Sequence, residues 1–298
     1  MDRHQQMRVF VAVAETQAFT VAARQLGISV AAATRALAAM ETRIGARLLV
    51  RTTRRVRLTD AGGQFLEDCR RILADLDSAD EMASGAQIRP RGLLTLASPM
   101  LFGQCVLNPV VLDYLERNPL VTVRAVYADR TPNLHEEAVD IAVLMGDPDD
   151  SALVSAPVGS IRRVVCATPD YLRSHGTPTH PQQLASHRIV LSTADAPTPE
   201  WHFVEAGARL AVRLQSRLTV SSNEAAIEAV RGGWGLTRAM SYQIAAQLAQ
   251  GALASVLDDF QPAALPVHLV YREGRKASAR VRSFIEYAVS RLRGELAV

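Results

Sequence analysis

The sequence is short of what most catalytic and anchoring devices require. No apolar run approaches the roughly 18 to 20 residues needed to cross a bilayer, which excludes a helical membrane span. The opening Met1-Asp2-Arg3-His4-Gln5-Gln6 is polar, without a secretory apolar stretch, so a cytoplasmic chain is expected and an exported solute-binding protein is not. Lysine occurs once, at Lys276, outside any phosphate-loop or S-x-x-K pattern, and neither G-x-S-x-G nor H-E-x-x-H is present. Gly232-Gly233-Trp234-Gly235 is too short for a dinucleotide fingerprint and reads as a tight turn. Cysteine is represented by Cys69, Cys105 and Cys166, an odd and widely spaced set with no C-x-x-C pair, expected as reduced and mostly buried thiols. The seven histidines, His4, His135, His175, His180, His187, His202 and His268, lack the spacing of metal ligands or of a nucleophile and its base. No catalytic residue, metal or cofactor is therefore assigned, and an enzyme is not expected.

What is present is ordinary in amount but uneven in place. With 298 residues, 48% hydrophobic and 21% charged, the chain is globular and long enough for about two domains. Residues 1–60 hold ten arginines against four carboxylates, residues 61–90 three against six, and residues 91–298 twenty against twenty. The excess positive charge thus sits in the first sixty residues, the footprint of a terminal nucleic-acid-binding module.

Periodicity gives that module a shape. Met7, Phe10, Val11 and Ala14 form one stripe of a first helix, which should stop near Glu15-Thr16-Gln17. Thr20 is the expected cap of a short second helix through Ala22, Ala23 and Leu26, ended by Gly27. Ser29 should cap a third, in which Ala33, Leu37, Met40 and Ile44 face inward and Thr34, Arg35, Ala38 and Glu41 outward. The many alanines suit two helices crossing closely over a tight turn. Arg47 to Val50 and Val56 to Leu58 read as a β-hairpin wing with the cationic tip Arg51-Thr52-Thr53-Arg54-Arg55. A helix-turn-helix of this kind places the first turn of its second helix in the major groove. Sequence choice then falls to Ser29, Val30, Ala31 and Thr34, with Arg35, Arg51, Thr52, Arg54 and Arg55 on the phosphates or in the minor groove.

From Phe65 the residues Phe65, Cys69, Ile72, Leu76, Ala79 and Ala83 form an apolar seam with heptad spacing, and Gly85 to Pro90 close the segment. A helix of about 25 residues spans roughly 38 Å, long enough to pair two copies of the chain. A paired molecule has two-fold symmetry and reads an inverted-repeat operator in double-stranded DNA.

The remaining two hundred residues alternate apolar runs, such as Leu93 to Ala97, Val121 to Val126, Ile141 to Leu144, Val164 to Ala167, Ile189 to Leu191 and Val267 to Tyr271, with helical segments. This predicts an α/β domain with buried parallel strands. Polar residues follow the strand ends at Ser98, Asp129, Thr131, Ser192, Thr193 and Ser221-Ser222-Asn223, where an α/β sheet holds a small molecule.

The stretch Phe19 to Gly62, with Phe19, Ala22-Ala23, Leu26, Ser29, Glu41, Gly45, Leu48, Arg51, Leu58-Thr59 and Gly62, resembles the winged helix-turn-helix signature of LysR-type transcriptional regulators. The resemblance implies that positions 30, 31 and 34 face the groove and that Arg35 touches the backbone. The usual Gln-Pro-x-x-Ser is replaced by Val30-Ala31-x-x-Thr34, which shifts readout toward thymine methyls and DNA shape.

"DIAVLMG" at 140 to 146, "ATPDYL" at 167 to 172, "SSNEAAIEAVRGGWGLTRAMSY" at 221 to 242 and "GALASVL" at 251 to 257 resemble the effector domain of the same family. The implied organisation is a head over 1–60, a linker helix over 61–90 and an effector domain over 91–298. That domain would divide, like a periplasmic binding protein, into one subdomain of about 92–161 plus 266–298 and a second of about 162–265. The resemblance further implies effector contacts at Ser98, Pro99, Met100, Thr131, Ser192 and Asn223, and a dimer or dimer of dimers that bends DNA.

Overall fold

The computed structural model describes residues 1–51, 56–83, 89–128, 139–148, 153–194, 198–272 and 277–296. The chain packs as two compact units, one of residues 1–94 with 118–122 and 278–282, the other of 95–117, 123–277 and 283–298.

The first unit opens with helix α1 (Arg3–Thr16), capped by the Asp2 carboxylate, which accepts the Gln5 N–H at 2.7 Å. Gln17 takes a left-handed conformation, φ 51°, and turns the chain into α2 (Phe19–Gln25). The expected Thr20 cap is corrected here. Gln17 completes the reversal early enough for the helix to start at Phe19, with Ala18 as its extended, uncapped neighbour. Gly27, at φ 64°, makes the tight turn into α3 (Val30–Ile44), as only a residue without Cβ does at little cost. Ser29 caps α3, its Oγ accepting the Ala32 N–H at 3.1 Å.

Val9, Phe10, Val13, Ala22, Ala23, Ala33, Leu37 and Met40 close one core, with Leu48 and Leu49 beneath the wing. Ile44 departs from expectation: it lies on the surface at the end of α3, past the last turn that has a neighbour to cover it. The wing pairs β1 (Leu49–Arg51) with β2 (Val56–Leu58) antiparallel, Val50 opposite Arg57, starting two residues later than the apolar run suggests.

Helix α4 (Asp60–Ala83) follows at once. Its apolar seam divides. Phe65, Leu66 and Cys69 belong to the head core, the Phe10 and Phe65 rings 5.6 Å apart, and Arg70 binds Glu15 of α1 at 2.8 Å. Ile72 and Leu76 are instead 40% and 44% exposed.

The second unit is α/β. After β3 (Gly92–Ser98) come α5 (Met100–Phe102), a single wider turn over Gly103–Leu107, α6 (Asn108–Arg117), β4 (Val121–Tyr127), β5 (Ile141–Met145) and β6 (Leu153–Ile161). A five-stranded sheet has the order β4, β3, β5, β14, β6, in which β14 (Leu265–Arg272) arrives from far along the chain. Tyr114 of α6 meets Phe284 of α10 (Ala279–Glu295) edge to face at 5.1 Å.

Between β6 and β14 lie β7 (Arg163–Ala167), α7 (Pro169–His175), β8 (Ile189–Ser192), β9 (Glu200–Glu205), β10 (Ala208–Arg213), β11 (Ser216–Val220), α8 (Asn223–Arg231), β12 (Thr237–Met240), α9 (Ser241–Ala249) and β13 (Ala254–Val256). Strand β7 is central to a three-stranded sheet and has two faces. Val165 packs with Trp201 and Phe203 of the β9–β10 hairpin, whereas Val164 and Cys166 pack with Ile227 of α8 and Ile244 of α9.

The expectation of parallel strands is corrected. β3 runs parallel to β5, and β8 to β11, but β14 is antiparallel to β5 and β6, and β7 to β12 and β13. A continuous apolar run reports burial on both faces, and burial is blind to strand direction.

Candidate functional site

Two places in the chain gather the residues singled out from sequence. The first is the start of α3. Val30 is 42% exposed, Ala31 and Arg35 are exposed and Thr34 half-buried, while Ala33, Ala36, Leu37 and Met40 are sealed beneath. Steps of 100° per residue put 30, 31, 34 and 35 on one face, presented to solvent by a helix whose other face is fixed in the core. Ser29 stands at the head of that face with its oxygen already engaged as the cap. Arg51 ends β1, and its side chain, with Thr52, Arg54 and Arg55, lies outside the described residues.

The wing is held by contacts that periodicity could not reveal. Glu41, expected to face outward, accepts the N–H groups of Leu48 and Leu49 at 2.8 and 3.1 Å. Thr59 Oγ1 lies 2.8 Å from the Arg47 carbonyl oxygen and 3.2 Å from that of Leu48, and accepts the Gly62 N–H at 2.9 Å. Gly62 is pressed against the segment that leads into β1: a Cβ there would stand 1.9 Å from the Leu48 carbonyl oxygen. All three residues belong to the quoted signature, so the pattern contained the signal, but their roles emerge only in three dimensions.

The second place lies at strand ends in the second unit. Ser98 closes β3 and is buried, its carbonyl accepting the Ala128 N–H at 3.1 Å. Pro99 and Met100 lead into α5, where Leu101 packs against the cluster of Val190, Ile227 and Ile244, and the rings of Phe102 and Tyr242 meet at 5.2 Å. Ser192 ends β8 opposite Val220 of β11, three residues before Asn223 opens α8. Ser192 Oγ and Asn223 Oδ1 are both closed to water and have no hydrogen-bond partner among the described residues. The α8 cap is supplied instead by Ser222, whose Oγ accepts the Ala225 N–H at 3.2 Å. Thr131 lies outside the described residues.

The thiols are unequal. Cys69 and Cys166 are sealed, and burial pushes both up to about 12, Asp68 adding to the effect at Cys69. Cys105 departs from the expected burial and is exposed at the turn before α6. No described helix is long and apolar enough to cross a membrane.

A helix-turn-helix with a wing, a long helix after it and an α/β ligand-binding domain together define a class, the effector-responsive DNA-binding regulator. The chain belongs to the LysR family. Residues 4–63 match the bacterial regulatory helix-turn-helix protein, lysR family, and residues 87–293 the LysR substrate binding domain. It is accordingly a DNA-binding transcriptional regulator with a C-terminal effector-binding domain. An HTH-type transcriptional regulator of Xanthomonas campestris pv. campestris (strain 8004) is 31% identical over 288 residues, covering 95% of this chain and 84% of the relative. CrgA of Neisseria meningitidis serogroup B is 29% identical over 293 residues, 98% of each chain. The solved CrgA structure shares the fold with a TM-score of 0.63 over 98% of this chain and 99% of CrgA. The Vibrio cholerae virulence activator AphB, 24% identical, gives 0.62 over 97% of this chain and 99% of its own.

Proposed function

We propose that the chain reads an inverted-repeat operator through Val30, Ala31 and Thr34, with Ser29 and Arg35 beside them and Arg51, Thr52, Arg54 and Arg55 on the phosphates or in the minor groove. In this reading residues 1–60 are the head, 61–90 the linker helix and 91–298 the effector domain, its subdomains being about 92–161 plus 266–298 and about 162–265. The observation that carries the reading is the exposed apolar-to-cationic face at the capped start of α3, with Val30 42% exposed on it. A valine on water at the first turn of a helix has a use if thymine methyls cover it.

Two copies joined along α4 account for Ile72 and Leu76 lying bare on the helix. The resemblance extends this dimer to a dimer of dimers. The effector is a small organic molecule held by Ser98, Pro99, Met100, Thr131, Ser192 and Asn223. Its polar groups would satisfy Ser192 Oγ and Asn223 Oδ1, which have no hydrogen-bond partner among the described residues. An effector acts only through its differential affinity for two states of the protein, so binding must change the DNA complex by that margin. The protein works in the cytoplasm and has no catalytic role.

The test is DNA binding of full-length protein to duplexes selected from a random pool, followed by fluorescence anisotropy as salt is varied. Arg35→Ala should lower affinity on every duplex and reduce the slope of log K against log salt by about 0.9 if it contacts one phosphate. Thr34→Ala should change the preferred base at one position of each half-site, at about 1 to 3 kcal/mol. Equal losses for both variants on every duplex would refute the assignment.

A further inference from the structure

The segment that follows α7 is bounded by histidines. His175 ends α7, His180 precedes a 3₁₀ turn over Pro181–Ser186, and His187 follows that turn just before β8. Pro181 and Leu184 of the turn are buried, Leu184 in the same cluster as Ile189, Trp201 and Phe203, so the segment is a strap across a core.

The partners of each ring fix where its proton sits. A backbone N–H can only donate, and that of Gln182 donates to His180 Nδ1 at 3.3 Å, so this nitrogen carries no proton while the cap is made. The proton is on Nε2, 2.8 Å from the Glu205 carboxylate, which accepts it whether the ring is neutral or charged. Glu205 thus holds the ring in place when Nδ1 is protonated, and two donors then face each other. At the other end Tyr171 Oη accepts the Arg188 N–H at 3.0 Å and lies 3.4 Å from His187 Nδ1, to which its O–H donates when that ring is neutral. His175 differs. Its Nδ1 is 3.1 Å from the Tyr171 carbonyl oxygen, which only accepts, so this ring already uses Nδ1–H and takes a further proton at Nε2. It lies flat on the Tyr171 ring, centroids 4.2 Å apart, and there brings a like charge toward His187.

The other charged groups divide between the two ends. Phe260 meets the His180 ring edge to face at 5.2 Å, and its turn, Asp258–Phe260, carries Asp258, which accepts the Ser255 hydroxyl at 2.6 Å, and Asp259. Near His187 are the exposed Asp170–Arg173 pair of α7 and the exposed Arg188. Burial, with His175 adding to it, pushes His187 below the usual histidine range. Its share of the strap's stability is therefore complete above about pH 6.5 and is lost as pH falls below that value, because the released ring binds a proton more readily.

We propose that residues 175–187 form an acid-released strap, closed while His180 and His187 are neutral and loosened when both carry a proton. The proton is then an input to the effector domain separate from its small molecule, and the device does not depend on where that molecule binds.

Hydrogen–deuterium exchange of the full-length protein, read by mass spectrometry at about pH 7.5 and about pH 5.5 and corrected for intrinsic exchange rates, tests this. Peptides covering residues 177–188 should lose about tenfold in protection on acidification, the equivalent of one hydrogen bond, while those of β7 keep theirs. Asparagine caps a helical turn without titrating, so His180→Asn combined with His187→Asn should keep the strap protected at both pH values. Should the double variant be loose already at the higher pH, His180→Asn alone carries the comparison and should reduce the acid-induced loss. Equal protection of the wild-type strap at both pH values, an acid-induced loss shared by β7, or an undiminished loss in the variant compared overturns the proposal.

Discussion

Glu41 Oε1 accepts the Leu48 N–H at 2.8 Å, which joins α3 to the root of the wing. The same oxygen takes the Leu49 N–H, so one side chain answers for two backbone donors. Glu41→Ala should therefore cost about 1 to 2 kcal/mol, since both N–H groups lose their acceptor at a partly covered place. Glu41→Gln should recover part of this, because an amide oxygen can still accept both N–H groups, though more weakly than a carboxylate. Helical circular dichroism on heating measures the loss, and DNA affinity should fall on all duplexes alike as the wing shifts.

Neighbouring glycines in α4 should respond in opposite ways. Gly62→Ala drives a methyl into the Leu48 carbonyl oxygen, where 1.9 Å separates the two sites, and must push β1 away at a cost of about 1 to 3 kcal/mol or more. Gly63 has nothing within 4 Å of its would-be Cβ and lies inside a helix, so Gly63→Ala should stabilise by about 0.5 to 1 kcal/mol. Urea titrations of the two variants check this, and a similar midpoint for both would contradict it.

Ser192 offers a test of a site by removal. Its hydroxyl has nothing to bond among the described residues, so Ser192→Ala should leave the ligand-free protein as stable as before, or up to about 1 kcal/mol more stable. Calorimetry of a confirmed effector should in the same variant show weaker binding. A ligand-free protein destabilised by more than about 1 kcal/mol would make the hydroxyl a structural group.

Cys105 should be the one thiol of the three that an alkylating reagent reaches in the native protein near pH 8, with Cys69 and Cys166 following only on unfolding. The sign of the accompanying pH effect is fixed by burial. The thiols of Cys69 and Cys166 titrate at about 12 when folded and nearer 9 when unfolded. Their contribution is complete below the unfolded value and is lost as pH rises through that window, because the unfolded chain sheds its protons first. Mass spectrometry after alkylation, and denaturant midpoints measured up to pH 10.5 or so, check the two halves.

The head was legible because its signals are short-range. Met7, Phe10 and Ala14 or Ala33, Leu37 and Met40 lie within a few turns of one another, and Ser29 caps the next residues along. What escaped was long-range or directional. Nothing in the run Val267 to Tyr271 says that it lies antiparallel between β5 and β6, and the short strands β9 to β13 carry too few residues each to mark a period. Glu41 looked like a solvated carboxylate because its partners, Leu48 and Leu49, have only backbone donors to offer, and a sequence does not print those. Ser192 and Asn223 could be singled out as candidates because strand ends and helix starts are marked by small polar residues.

Since Leu66 and Cys69 are walled into the same core as Phe10, the long helix is not a tether hung beneath the reader but part of its masonry. A fragment cut at residue 60 would strip the floor from under Phe10, whereas one that retains the helix past Leu76 would keep it. Ile72 and Leu76, exposed one and two turns beyond Cys69 on the same helix, would then follow any tilt of that core directly.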